Sequence, residues 1–294
     1  MTLVVMSSAS STFNLDDLRQ VILSRCDVKQ SSKNTYSIAI KRFLYFCAQH
    51  GWTDDILLKY KEHLRNLPDR SSNTKAQYLN AARITARHFY LLGYCNEDVS
   101  RSVKSFKVNP SHKRSPISEF DRRKIFRWLE QHGDARTSLI FHLLAFQGLR
   151  RMEVCSLRIE DFHATDNTLL IDSKGVDGKV LIMLHTKTAQ AMSRYLSTIA
   201  QSSGPLFSSP SKTGHLTTVA IHRIVQHVHR QNRVKANVHA WRKYFTSTLL
   251  EHGFDVITTS KFTRHKSIAT VSIYYDRLDL KKQMPKFQSA FDKN

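Results

Sequence analysis

The 294-residue chain carries 45 Lys and Arg against 24 Asp and Glu, a formal charge of +21 with a pI near 10.0. That length leaves room for two ordinary domains, and a hydrophobic content of 41%, spread along the sequence, excludes a disordered chain. So basic a balance points to a polyanionic partner, nucleic acid or an anionic membrane surface, and no run approaches the roughly 18 apolar residues of a membrane span.

The opening Met1-Thr2-Leu3-Val4-Val5-Met6 is apolar. It lacks a basic leader and is shorter than the ~7–15 residue core of a signal peptide, so residues 1–13 read as a flexible tail. Four helical patterns follow over 14–93. Leu15, Leu18, Val21 and Ile22 mark the first, and Tyr36, Ile40, Phe43, Leu44 and Cys47 the second, closed by Gly51. The third runs from Thr53, a good N-cap, to Leu67 before Pro68, and the fourth carries Leu79, Ala82, Ala86, Phe89 and Tyr90 up to Gly93. Cationic residues on these helices, among them Lys75, Arg83 and Arg87, suit a helical DNA-binding domain over 14–100.

Residues 101–117 change character. Lys104, Lys107, Lys113 and Arg114 alternate with serines and are broken by Pro110 and Pro116, the composition of a basic linker that lies along a phosphate backbone. Ser118 with Asp121 three residues on resembles a capping box and opens a second domain over 118–294. Helical patterns at 119–132 and 136–147 lead to Gly148-Leu149-Arg150, with Glu153 one turn further. The β-leaning runs 168–172 and 179–184 flank a turn that contains Lys174, a β-hairpin signature. Helical patterns return at 187–200, 217–231, 239–252 and 255–262. The fold class is mainly α with one small β-hairpin or sheet.

Cys26, Cys47, Cys95 and Cys155 stand far apart with no C-x-x-C, which reads as buried free thiols in a reducing compartment. Cytoplasm or nucleoid follows, and DNA becomes the better partner than membrane. His227-x-His229 is too little for a metal site, and no carboxylates cluster, so neither metal nor cofactor is expected.

His239 and Arg242 lie three apart on one helical face, a bidentate donor beside an imidazole that suits a phosphate. Of the adjacent Arg150 and Arg151, only Arg150 has Glu153 at i+3 to hold it in place. Taken singly, each signal has an ordinary reading. The H-x-x-R pair fits any surface helix of a basic protein, Arg150–Glu153 an exposed ion pair, Lys174 a solvated turn lysine, and Tyr274 a core aromatic. His265 and Tyr274, nine residues apart, would sit on opposite faces of one helix, so a break must fall between them.

In this order and spacing, the set resembles the tyrosine recombinase (phage integrase) family. The family's T-G-L-R-x-x-E-L patch is similar to Gln147-Gly148-Leu149-Arg150 with Glu153, and its hairpin lysine to Ser173-Lys174-Gly175. Its H-x-L-R box matches His239 to Arg242, with Trp241 where leucine is usual. Its L-G-H box, with a tyrosine nine residues on, matches His265 and Tyr274, although Thr263-Arg264 replaces leucine and glycine. That spacing selects Tyr274 over its neighbour Tyr275. The resemblance spans roughly 14–290 and is most specific in the second domain.

The resemblance implies a metal- and ATP-independent DNA strand transferase, a site-specific recombinase or integrase working through a 3′-phosphotyrosine intermediate. Arg150, His239, Arg242 and His265 would surround the scissile phosphate, Tyr274 would attack it, Lys174 would protonate the leaving oxygen, and Glu153 would support Arg150. Double-stranded DNA and a homotetramer on paired sites are the implied partners. The alternatives are a type IB topoisomerase-like DNA-relaxing enzyme and a catalytically silent DNA-binding protein on the same fold. Integration, dimer resolution and inversion stay open as roles.

Overall fold

A computed structural model describes residues 2–6, 10–27, 30–108, 115–173, 178–210, 214–265 and 267–275. The chain divides into two compact units, Met1–Pro110 and Ser111–Asn294.

Four helices build the first unit: α1 (Leu15–Arg25), α2 (Gln30–His50), α3 (Ile56–Arg65) and α4 (Ser72–Leu91). Asn14 and Ser71 cap α1 and α4, their side-chain oxygens accepting from the amides of Asp16 and Thr74. Apolar residues at helical spacing turn one stripe of each helix inward. Ile22, Ile40, Phe43, Leu44, Leu57, Tyr60, Leu79 and Phe89 form a fully enclosed core. Thr53 does not cap α3 as expected. Its carbonyl instead accepts from Ile56 N at 2.9 Å, and its hydroxyl donates to the Asp55 carboxylate at 2.6 Å, so a tight turn precedes the helix.

Two expectations change here. Residues 1–13, read as a flexible tail, contain β1 (Thr2–Met6), which pairs antiparallel with β2 (Ser10–Asn14) from Thr2↔Asn14 to Met6↔Ser10. The β-branched Thr2, Val4 and Val5 favour extended backbone, and pairing satisfies main-chain groups that a loose tail leaves to water. The proposed linker 101–117 is also shorter than its composition implied. Val103 is buried in the first unit's core with Phe106 packed against it, and Ile117 is buried in the second unit's core. Isolated apolar residues anchor both ends of a segment in which the basic residues dominated the reading.

The second unit begins with α5 (Glu119–His132), where Ser118 Oγ accepts from Asp121 N at 3.0 Å. The box is not reciprocal, because the Ser118 hydroxyl also donates to the Asp121 carboxylate. Helix α6 (Ala135–Phe146) is apolar nearly all round and is surrounded, with Leu139, Ile140, Phe141, Leu143 and Leu144 fully enclosed. Next come the short α7 (Arg151–Ser156) and β3 (Phe162–His163), neither visible in the sequence pattern, then β4 (Thr168–Asp172) and β5 (Lys179–Met183). These strands form an antiparallel sheet in the order β3-β4-β5, with Asp172 opposite Lys179 at the end of the hairpin where the two strands are joined. Alternation in β4 puts Leu169 and Ile171 into the core.

Helices α8 (Thr186–Leu196), α9 (Thr218–Gln231), α10 (His239–Glu251), α11 (Val256–Thr263) and α12 (Ile268–Tyr275) follow among the described residues. Trp241 of α10, 0% exposed, packs edge-on against Phe141 and donates its indole N–H to Nε2 of His229 on α9 at 3.0 Å. His229 Nδ1 in turn meets the Ala236 carbonyl at 3.1 Å. His229 is thus a core residue holding α9 to α10, and no group of three or more His, Cys, Asp or Glu among the described residues is placed to hold a metal. The four cysteines are free. Cys47, Cys95 and Cys155 are buried, whereas Cys26 is half-buried with Sγ 3.8 Å from His88 Nε2.

Candidate active site

The site begins at the turn that links α6 to α7. Gly148 has φ +57°, and a Cβ there would lie 2.4 Å from Cδ1 of Phe245, so only glycine fits both the backbone and the space. Leu149 is buried and its amide donates back to the Leu143 carbonyl at 3.2 Å, fixing the direction in which Arg150 leaves the turn.

Arg150 precedes α7, and Glu153 of the first helical turn reaches back to it. Arg150 N donates to Glu153 Oε2 at 2.8 Å, and Arg150 Nη1 to Oε1 at 2.6 Å. Glu153 is only 1% exposed. The surface ion-pair reading fails on that figure, since a buried carboxylate anchors the guanidinium. Burial alone would raise the Glu153 pKa, but Arg264 and Arg150 outweigh it and hold the carboxyl below its ordinary value.

Arg242 projects from α10 into the same space and is 2% exposed. Its Nη1 donates to the Gly148 carbonyl at 2.6 Å and its Nη2 to the Thr263 carbonyl. One guanidinium therefore ties the α6–α7 turn to the end of α11. Burial, then the charges of Arg150 and Arg264, lower its pKa to about 9, so it stays protonated at neutral pH.

Helix α11 stops at Thr263 because Arg264 adopts the left-handed conformation, φ +55° and ψ 44°. This break puts His265 between two helices and supplies the interruption that the nine-residue spacing to Tyr274 requires. His265 N donates to the Ser260 carbonyl at 3.1 Å, Ser260 Oγ donates to the His265 carbonyl at 3.1 Å, and Nδ1 lies 2.7 Å from Thr263 Oγ1. Burial and the nearby charges of Arg242 and Arg150, with a smaller contribution from His239, push the His265 pKa down to about 3. The imidazole is neutral at physiological pH. His239, at the first position of α10, is exposed.

Tyr274 lies on α12, which packs on α10 and α11. The ring is 6% exposed against Leu250 and Val271. Arg150, Glu153, Arg242 and the turn carrying His265 are thus tied together, with His239 at the start of the helix that carries Arg242 and Tyr274 on the helix packed against it. Lys174 lies outside the described residues, between β4 and β5 in sequence.

The basic residues singled out for DNA contact divide. Lys75 Nζ donates to the Arg65 carbonyl at 2.7 Å, Arg83 donates to the Val103 carbonyl, and Arg87 pairs with Asp98 while lying 5.6 Å from the Tyr90 ring centre. These three already have partners within the first unit. Lys104 and Lys107 are exposed, and Lys113 and Arg114 lie outside the described residues. The residue that the sequence reading passed over is Arg264. Its signal was present, a bulky side chain just before His265 where the family pattern has glycine.

Among known proteins, the phage integrase family pattern matches residues 115–281, more than half of the chain. The chain belongs to the phage integrase family. A tyrosine recombinase of Synechocystis sp. is 26% identical over 301 residues, covering 90% of this chain and 92% of the relative. The tyrosine recombinase XerA of Pyrococcus horikoshii is 25% identical over 268 residues, 88% of each chain. The XerH site-specific recombinase, solved on its palindromic difH substrate after cleavage, has the same fold. It superposes with a TM-score of 0.70 at 18% identity, covering 95% of this chain and 85% of that one. The chain is thus a tyrosine recombinase of the site-specific, DNA strand-exchange class.

Proposed function

We propose that this recombinase cuts and rejoins duplex DNA through a 3′-phosphotyrosine at Tyr274. The observation that carries this reading is that Arg150, anchored on the buried Glu153, and Arg242 both bond the turn that carries His265, with Tyr274 buried on the next helix, packed on the helix of Arg242. Each arginine keeps N–H groups beyond those used in the network, enough to receive the non-bridging oxygens of a phosphodiester. Those donors stabilise the extra negative charge that builds up in the pentacoordinate transition state.

Tyr274 Oη attacks phosphorus, and the bond from phosphorus to the 5′-oxygen breaks. Lys174 protonates the departing 5′-oxygen. The phenol proton passes to an imidazole of the site. His265 suits that role because a bound phosphodiester offsets the arginine charges and raises its affinity for a proton. The phosphoryl bond energy is kept in the tyrosine ester, so religation by the free 5′-hydroxyl of a partner strand needs no ATP. Side chains supply the positive charge that a metal would otherwise bring.

The net charge of +21 supports a duplex DNA substrate gripped along its phosphates. Recombination joins two duplexes, so protomers act on paired sites as a tetramer. Lambda integrase, which shares the fold at a TM-score of 0.65, has been solved as a tetramer on a Holliday junction. No described helix is long and apolar enough to cross a membrane.

The test is a covalent adduct. Duplexes selected from a randomised pool by the wild-type protein are incubated with wild type, Tyr274→Phe and Tyr275→Phe, then denatured. Wild type and Tyr275→Phe are expected to retain DNA, and Tyr274→Phe to lose the adduct while still binding. Loss with Tyr275→Phe alone would move the nucleophile by one residue.

A further inference from the structure

Arg264 has a backbone that disfavours it and a side chain that is hidden. Its φ of +55° is a conformation that glycine adopts freely and a long side chain does not. The chain has 45 Lys and Arg, most of which can solvate themselves, yet this side chain is 7% exposed and turned inward. Its Nη2 lies 3.2 Å from Glu153 Oε2 and within 3.4 and 3.5 Å of the Gln147 and Gly148 carbonyls, while Nη1 donates to the Phe262 carbonyl at 2.7 Å. The main chain at the same position joins in, since the Arg264 carbonyl accepts from Arg150 Nη2 at 3.2 Å.

We propose that Arg264 is a positioning residue for strand cleavage, bridging Glu153 and the 147–148 carbonyls so that the turn carrying His265 is fastened to the turn carrying Arg150. The inference rests on the reading of the site given above. Glu153 is then a two-sided anchor. One oxygen holds the Arg150 guanidinium, and the other is shared between the Arg150 amide and Arg264. The two terminal nitrogens work apart, Nη2 on the carboxylate and the 147–148 carbonyls and Nη1 on the Phe262 carbonyl, a span that the single ammonium of a lysine cannot reproduce.

Stability does not account for this arrangement. A third guanidinium beside Arg150 and Arg242 adds repulsion that lowers the proton affinity of Arg242, and burying a charge is costly. A glycine at this position would avoid both the strain and the repulsion. What the arginine adds is a fixed distance between two loops that must grip one phosphate together, and small misplacements of reacting groups carry large rate penalties.

The experiment uses the full-length protein and duplexes selected by wild type, and reads the single-turnover rate of adduct formation at saturating enzyme, the DNA dissociation constant and the melting temperature. Arg264→Gly relieves the backbone, so the variant is expected to fold with an unchanged or higher melting temperature. It is expected to bind DNA within about threefold of wild type and to cleave at least about tenfold more slowly, the pattern of an interaction realised in the transition state. Arg264→Lys keeps the charge and loses the fork, and is expected to remain slow.

The Glu153→Gln background gives the decisive sign. There Arg264 has lost its counter-charge and keeps only carbonyl acceptors, a buried cation left unneutralised, so adding Arg264→Gly is expected to leave the rate unchanged or raise it. An equal slowing by Arg264→Gly in both backgrounds overturns the proposal. So does a wild-type rate in Arg264→Gly, or full recovery in Arg264→Lys, which would leave only a charge effect. Absence of any adduct from wild type is a different failure, overturning the strand-cleavage reading of the site and this inference with it.

Discussion

Thr263 Oγ1 and His265 Nδ1 are 2.7 Å apart, and the same hydroxyl lies 2.8 Å from the Thr259 carbonyl. A hydroxyl has one proton. Donated to the carbonyl, it leaves Oγ1 to accept from Nδ1–H, so Nε2 of His265 carries the lone pair.

This neutral imidazole sets a pH dependence. The His265 pKa is about 3 in the fold against an ordinary value of 6.5, lowered first by burial and then by Arg242 and Arg150. Between those values the unfolded chain binds a proton that the folded one refuses, so stability is full above about pH 6.5 and falls as the pH drops toward 3. His142 and His229, also depressed chiefly by burial, act in the same direction. Melting temperatures from pH 7.5 to 4.5 are expected to fall less steeply for His265→Gln than for wild type. Parallel curves would show that His265 does not contribute.

Gly148 faces Phe245 with no room for a methyl group. Gly148→Ala is expected to destabilise the protein by about 2–4 kcal/mol, the sum of a left-handed backbone cost and overpacking. Cleavage is expected to fall further than binding, because the Gly148 carbonyl is a fixed partner of Arg242. Phe245→Ala in the same chain opens the space and is expected to restore part of the loss in denaturant melts. No restoration would place the damage in the backbone alone.

Trp241→Phe keeps an aromatic in the core but removes the donor to His229 Nε2. The cost is expected to be about 2–4 kcal/mol, from the unpaired acceptor and the vacated volume. Urea denaturation measures it. A change under about 0.5 kcal/mol would mean that water or a shifted ring replaces the bond.

Lys174 is tested by chemistry. Lys174→Ala leaves the departing oxygen unprotonated, and cleavage is expected to fall by about 10²–10⁴. Placing sulfur at the bridging 5′ position of the mapped cleavage site gives a leaving thiolate of pKa near ~8.5, which needs no acid. The sulfur substrate is expected to restore the rate of Lys174→Ala and not that of Arg150→Ala or Arg242→Ala. Equal slowness on both substrates would assign the proton to another group.

Much of this architecture was legible as period and punctuation. Helices α5, α9 and α10 fall within a residue or two of their helical patterns, because Ser118 and the apolar periodicity mark them in the sequence. The β4–β5 hairpin was equally plain from two β-leaning runs around a turn. Helix α7 was invisible, since six residues give no measurable period. The partners of Arg83 and Arg87 were illegible for another reason. Charge on a helix is one letter in a sequence, whereas the Val103 carbonyl and Asp98 that engage it are set by how the chain folds back. Glu153 could be placed beside Arg150 by spacing, but its burial could not, and Arg264 registered only as a departure from a pattern. Contacts spanning more than a hundred residues, such as Arg264 to Glu153, have no local trace.

The acceptors that hold Arg242 are main-chain carbonyls, those of Gly148 and Thr263. A carbonyl survives any substitution at its own residue that preserves the backbone path. The aim of this guanidinium is therefore inherited from the course of the chain rather than from neighbouring side chains. Threonine can then stand where the family has leucine without disturbing the arginine, and sequence drift around the site is tolerated wherever the two turns keep their shape. Libraries at positions 263 and 242 would fail for different reasons, the first through the hydroxyl contact with His265 and the close packing there, the second through loss of the guanidinium itself.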